Sequence, residues 1–205
     1  MVDNFDLIQS LLELPEQRTD TGQDFYFVQV LQRKKDHKEE NKRLGRNNNA
    51  RLVKAYYIYS IAQYKEHKAE MIALAQMFNA RVGINLNRRN SKRVALEMNM
   101  QLAGCLMSEN YTLSKLYNSV CGMGIGKDKL WLVDLDAEDL HKTQAVIDGI
   151  NLILEPTANT EKVKAQIPTK SGLHLITTAF NSKVFGEMFP GIEVHKNNPT
   201  VLYIP

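Results

Sequence analysis

One polar stretch, residues 33–54, most limits how this 205-residue chain can fold. It carries nine basic and three acidic residues, a balance of +6 in a chain whose net charge is +3. Almost nothing apolar lies between Asp36 and Ala50, so the stretch cannot cover a hydrophobic core. We therefore predict a basic hairpin loop at 33–54. Two interpretations stay open: a mobile arm that binds the phosphate backbone of a nucleic acid, or a solvated hairpin tip.

The segments on either side of this stretch are rich in aromatic and β-branched residues, which favour strands. We predict a long-looped hairpin from strands 25–32 and 53–60. Apolar spacing then predicts a helix from a Ser60 cap to about Phe78, a strand at 81–86, a helix capped by Ser91 and a third helix over 112–120.

The last third of the sequence is mostly strand-like. We predict strands at 129–136, 162–167, 173–178, 192–195 and 200–204, with helices after Ala137 and near 182–188 and a turn at 197–199. The expected fold is α+β, a mostly antiparallel sheet with flanking helices. We expect an N-terminal α/β half, residues 1–128, and a C-terminal β-rich half, residues 129–205, within one compact domain.

Several classes of protein do not fit the sequence. No apolar run of 18 or more residues exists, so we expect no membrane span and no membrane partner, and the N-terminus does not have the charge pattern of a secretory signal. The two cysteines, Cys105 and Cys121, are expected to be free thiols in a reducing cytoplasm. The glycine-rich segment at 122–127 lacks the spacing of a phosphate-binding P-loop.

Asp134 and Asp136 end an apolar predicted strand, where side chains two apart share a face. Two carboxylates on one face repel each other unless a cation joins them, and oxygen ligands favour Mg²⁺ or Mn²⁺. The alternative is an acidic strand end that faces water.

His174 follows a short turn that contains Lys170, Ser171 and Gly172. A cation, a hydroxyl and an unobstructed backbone suit a phosphate, although a histidine at a strand start also serves structural roles. Glu193 lies between two β-branched residues of another predicted strand. It is either a third candidate acid of the site or an ordinary outward-facing side chain.

The order of these motifs resembles the archaeo-eukaryotic primase superfamily, in particular the primase-polymerase cores of phages and mobile elements. The matching segments lie in the last third of the chain: Leu132-Val-Asp-Leu-Asp136, Ser171-Gly-Leu-His174 and Ile192-Glu-Val194. The sequence departs from the family in its third acid, which is more usually Asp, and in the absence of a zinc-binding element.

The resemblance implies a primase-polymerase-like (RRM-like) catalytic half in the α+β fold and assigns roles to these residues. Asp134, Asp136 and Glu193 would hold Mg²⁺ or Mn²⁺, and His174 would contact the phosphates of an incoming nucleotide, with Lys170, Ser171 and Gly172 beside it. The partners would be a nucleic-acid template, nucleoside triphosphates and a helicase on a separate chain. The basic loop and the pair Arg88-Arg89 would hold the template.

Three functions therefore compete. The first is a metal-dependent nucleotidyltransferase that makes or extends a strand on a template. The second is a non-catalytic nucleic-acid-binding protein, an inactive primase-like fold that uses the basic loop and the aromatic residues Tyr56, Tyr57 and Tyr59. The third is a metal-dependent phosphodiesterase that uses the same acids to activate water.

Overall fold

The structure is a computed structural model that describes residues 1–18, 24–36, 50–109, 113–123, 126, 128–156 and 160–205. Within these residues the chain forms nine strands and six α-helices, and every strand pairing is antiparallel. The predicted α+β class with mostly antiparallel sheet is confirmed. Among the helices described, none is long and apolar enough to cross a bilayer.

The first sheet contains five strands. They are β1 Val2–Asp3, β2 Asp24–Gln32, β3 Arg51–Ile58, β4 Arg81–Asn90 and β9 Thr200–Ile204, in the spatial order β1–β9–β4–β2–β3. Strands β2 and β3 pair from Tyr26–Ile58 to Gln32–Arg51, so the segments that flank the basic stretch form the predicted hairpin. The predicted loop between them falls largely on residues 37–49, outside the described residues.

The second sheet contains the other four strands. They are β5 Leu130–Leu135, β6 Val163–Pro168, β7 Leu173–Thr178 and β8 Glu193–His195, in the order β6–β7–β5–β8. The predicted turn at 197–199 therefore does not close a hairpin, because β8 and β9 belong to different sheets. It carries the chain from the second sheet back to the first.

Six helices flank the sheets. They are α1 Phe5–Gln9, α2 Ile61–Phe78, α3 Ser91–Met107, α4 Leu116–Gly122, α5 Thr143–Leu152 and α6 Ser182–Met188. Helix α2 begins where the sequence predicts, because the Ser60 side chain accepts a hydrogen bond from the Gln63 amide at 3.2 Å. The Gln63 side chain in turn accepts from the Tyr59 amide at 2.9 Å, so side chains satisfy one amide of the first helical turn and the amide just before the cap.

Three apolar clusters hold these layers together. The first joins the two sheets, since it contains Val28 and Ile84 of the first sheet, Leu132 and Ile176 of the second, and Tyr64 of α2. The second lies between the second sheet and helices α5 and α6, and the third lies between the first sheet and helices α3 and α4. Each sheet is thus covered on both faces, and the two sheets share the first cluster.

Local boundaries differ from the sequence prediction at several elements: β3 spans Arg51–Ile58 where 53–60 was predicted, and β1 and α1 were not predicted. Strand β4 continues four residues beyond Leu86, and Asn90, not Ser91, caps α3 by accepting from the Arg93 amide. Helix α4 begins at Leu116 after a 3₁₀ turn at 113–115, and the predicted start at Thr112 lies outside the described residues. After β5, a 3₁₀ helix over 137–142 precedes α5.

Candidate functional site

Three neighbouring strands of the second sheet place Glu193, Asp134 and His174 side by side. Asp134, near the end of β5, lies directly opposite His174 of β7 on one side and Glu193 of β8 on the other. Directly opposed residues of antiparallel strands have Cβ atoms about 4.5–5.5 Å apart and share a face of the sheet. The three side chains therefore form one row, although they are far apart along the chain.

The alternation of side chains along β5 decides which face carries this row. Val133 and Leu135 pack into the cluster beneath α5 and α6, whereas Leu132 belongs to the cluster that the two sheets share. Residues two apart in a strand point to the same face. Asp134 therefore shares the face of Leu132, and His174 that of Ile176, which is the face turned to the first sheet. The row thus lies at the rim of the shared cluster.

His174 is a neutral imidazole with a polar neighbour at each ring nitrogen. Burial lowers its pKa to about 4, and the positive charges of Arg33 and His195 act in the same direction. Nδ1 lies 2.9 Å from the hydroxyl of the buried Thr200, and Nε2 lies 3.5 Å from Oδ1 of Asp134. An ionised carboxylate only accepts hydrogen bonds, so the tautomer with hydrogen on Nε2 satisfies both neighbours: Thr200 donates to Nδ1, and Nε2–H faces Asp134.

The carboxylate of Asp134 is electrostatically crowded. Burial is the largest cause that raises its pKa, and the negative charges of Asp136 and Glu193 raise it further. The positive charges of His195 and Arg33 offset part of this effect. A carboxylate that is partly desolvated between two others gains from a bound cation, which would relieve the repulsion.

Asp136 reaches this site from outside the strand. Strand β5 ends at Leu135, one residue before the predicted end, and Asp136 keeps an extended backbone (φ −70°, ψ 168°) as the cap of the 3₁₀ helix that follows. Asp136 is exposed, and its carbonyl oxygen accepts from the Asp139 amide at 2.9 Å. Its charge still acts on Asp134, as the raised pKa of Asp134 indicates.

The turn between β6 and β7 presses against the end of β5. A Cβ on Gly172 would lie 2.1 Å from the carbonyl oxygen of Leu135, so a residue with a side chain does not fit there. The Gly172 amide donates to the hydroxyl of Thr169 at 3.0 Å, which closes the turn. Lys170 and Ser171 are exposed on this turn. The turn predicted to bind phosphate therefore adjoins the strand end that carries the aspartates.

Three residues of the site were not predicted. His195 lies on the same face of β8 as Glu193, and its Nε2 is 3.1 Å from Oε2 of that residue. The two-residue spacing was a signal in the sequence that could have found it. Thr200 and Arg33 come from the first sheet and the segment after β2, and only the tertiary structure brings them near His174.

The donors present suit a hard divalent cation, because Asp134, Asp136 and Glu193 offer carboxylate oxygens and Mg²⁺ and Mn²⁺ prefer such ligands. Among the described residues, no group of three or more His, Cys, Asp or Glu side chains is gathered closely enough to hold a metal. Glu193 is exposed, and its carboxylate lies next to His195. A site with three carboxylates therefore requires the Glu193 side chain to rotate towards Asp134.

The expectation that Arg88 and Arg89 hold a template is not supported. Arg89 is fully buried, and its guanidinium donates to the carbonyls of Cys121 and Asn87 and to the side chain of Asn197 at 2.6–2.9 Å. Arg88 pairs with the carboxylate of Asp128 at 2.8 Å. Both side chains are thus engaged in holding the fold.

Tyr56 and Tyr57 of β3, and Tyr59 directly after it, are also engaged internally. Tyr56 is buried in the cluster that the sheets share, and Tyr57 and Tyr59 pack against the cluster beneath α3 and α4. Tyr57 lies edge-on to Tyr117 with ring centroids 4.9 Å apart, and Arg18 covers the face of Tyr59 at 4.4 Å. These rings do not present the open row that stacking on bases requires.

Comparison with known proteins adds no assignment: neither a protein-family model, nor a curated protein, nor a solved structure matches this chain.

Proposed function

We propose that this chain is a metal-dependent nucleotidyltransferase, similar to a primase-polymerase core, that makes or extends a nucleic-acid strand on a template. The observation that carries the proposal is the register of β8, β5 and β7, which aligns Glu193, Asp134 and His174 in one row. Asp136 and the turn at 169–172 adjoin the same strand end. Acids from separate strands and a neutral histidine beside them fit the order of motifs noted in the sequence.

Each residue has a role that its chemistry supports. Asp134, Asp136 and Glu193 would hold Mg²⁺ or Mn²⁺, and the ion when bound would supply charge stabilisation for the attacking hydroxyl and the leaving pyrophosphate. Thr200 fixes Nδ1 of His174, so its Nε2–H points to the side of Asp134, where it would donate to a phosphate oxygen of a nucleotide bound beside that carboxylate. Lys170 and Ser171 would add a cation and a hydroxyl at the triphosphate.

Incorporation of nucleotides tests this proposal. The protein is incubated with Mn²⁺ or Mg²⁺, nucleoside triphosphates and a primed or an unprimed template, and the products are resolved by length. We expect extension or short primers from the wild type and none from Asp134→Asn. Asp148→Asn is the matched control, since Asp148 is an exposed aspartate on α5 outside the site, and it should retain incorporation.

Other results would point to the competing functions. Binding of nucleic acid without incorporation, weakened steeply by salt, would favour a non-catalytic binding protein. Shortening of the nucleic acid that requires Asp134 would favour a phosphodiesterase. Equal incorporation by the wild type and Asp134→Asn would exclude Asp134 from the mechanism and so contradict the proposed site.

A further inference from the structure

Helix α3 is apolar on two opposite sides, and the described part of the chain covers only one of them. Val94 and Met98 face the cluster beneath the first sheet, and Val94 is the one fully buried residue of this helix. At 100° per residue, Leu96, Met100, Ala103 and Met107 lie on the opposite side. We call these four residues the α3 stripe.

The side chains of the α3 stripe are open to solvent. Met100 is 69% exposed, Met107 88% and Leu96 56%. Ala103 is exposed as well, and a Cβ on the neighbouring Gly104 would meet nothing within 4 Å. A continuous apolar row with small residues at its centre lets a second helix approach closely, and such rows mark interaction surfaces.

The charges at the ends of α3 indicate what covers the stripe. Lys92 and Arg93 lie in the first turn, where the helix dipole disfavours positive charge, and that turn contains no acidic residue. Among the described residues, neither forms an ion pair. The last turn contains no basic residue, and the exposed Glu109 follows directly after the cap. An antiparallel copy of the same helix would bring each basic end to the negative end of its neighbour.

We infer that α3 is a homodimer interface, in which two copies pack antiparallel through the α3 stripe about a two-fold axis. The spacing is self-complementary: Leu96 then faces Met107 of the second copy, and Met100 faces Ala103, with the axis passing between positions 101 and 102. The same register brings Arg93 to the chain end that carries Glu109. A two-fold interface requires this kind of self-complementarity, since each residue must meet its counterpart twice. The inference does not depend on the proposed function.

Sedimentation velocity across a range of concentrations tests the dimer. We expect the wild type to dimerise at micromolar concentration, and Met100→Glu to raise the dissociation constant at least tenfold, because it buries a carboxylate twice in an apolar contact. Met77→Glu is the matched control: Met77 is 73% exposed but lies on α2, outside the stripe, so its variant should dimerise like the wild type. Thermal melts of both variants would verify folding.

Charge reversal tests the orientation. Arg93→Glu should weaken the dimer, and Arg93→Glu combined with Glu109→Lys should restore it, while added salt should weaken the wild-type dimer. A wild type that stays monomeric at high micromolar concentration, as it would if another part of its own chain covered the stripe, would overturn the inference. A dimer that Met100→Glu does not weaken would overturn it too. So would a dimer that added salt strengthens, because a parallel pairing places like-charged basic ends together and salt screens their repulsion.

Discussion

Replacing Gly172 by alanine would test whether the turn at 169–172 is pressed against β5 as the structure has it. The new Cβ would lie 2.1 Å from the carbonyl oxygen of Leu135 and 3.3 Å from Cα of Asp136. Both neighbours belong to the backbone, so neither can swing aside as a flexible side chain would. Since real Cβ atoms essentially never lie within 3.0 Å of another atom, the turn and the strand end must separate by about 0.9 Å.

We expect Gly172→Ala to lower the free energy of unfolding by about 1–3 kcal/mol, the usual range for an overpacked site. In a chain of this size the melting temperature should fall by roughly 2–4 °C for each kcal/mol. Urea unfolding followed by circular dichroism measures the first quantity, and a thermal melt measures the second.

Gly186→Ala provides a control with the same chemical change and the opposite sign. A Cβ at Gly186 would meet nothing within 4 Å, and the residue lies within α6, where alanine is favoured over glycine by about 0.5–1 kcal/mol. A Gly172→Ala protein as stable as the wild type, next to a stabilised Gly186→Ala, would show that the turn does not lie against β5.

Two further predictions concern buried basic groups. Because the pKa of folded His174, about 4, lies below its ordinary 6.5, His174 contributes stability above pH 6.5 that is lost as the pH falls towards 4. Between pH 7 and pH 5 this loss should be on the order of 1–2 kcal/mol, and urea unfolding at both pH values should show a smaller loss in His174→Gln; an equal loss would contradict the assignment. Arg89→Lys should lower the free energy of unfolding by about 2 kcal/mol or more, because a single ammonium cannot replace three guanidinium hydrogen bonds to separate acceptors. Its urea midpoint should fall accordingly, and an unchanged midpoint would mean that these bonds do not stabilise the fold.

The sequence predicted the elements whose local signals and tertiary surroundings agree. Strand β7 and helix α6 have the predicted bounds, and Ser60 caps α2 as expected. In these segments the apolar period, the cap and the flanking turn residues all favour the same structure. Such agreement makes an element predictable from a short window of residues.

Strand β4 shows why the end of a correctly predicted strand was misplaced: it was expected to end at Leu86 and continues to Asn90. Asn87 and Arg89 look like the end of a strand, because polar residues usually leave the core. In the structure the Asn87 side chain donates to the carbonyl of Leu130 at 2.8 Å, and Arg89 has the partners described above. All but one of the acceptors described for these two side chains lie more than 30 positions away, and no local pattern reveals them.

The sequence allowed the residues of the candidate site to be selected, but not their spatial arrangement to be predicted. Asp134, His174 and Glu193 could be selected by type and position, but their common row depends on strand register, which the sequence leaves open. Thr200 and Arg33 had no signal of their own, since each is near His174 only because the two sheets meet.

The place of β9 within the first sheet has a consequence for synthesis on the ribosome. Residues 200–204 pair with β1 on one side and with β4 on the other. The backbone groups of residues 82–84 therefore cannot form these hydrogen bonds until more than a hundred further residues have been translated. Until those residues emerge, β1 and one edge of β4 have no strand to bond with, and the nascent chain presents unpaired edges. We therefore expect the first sheet to close only after translation of residues 200–204, with a folding rate limited by this long-range closure.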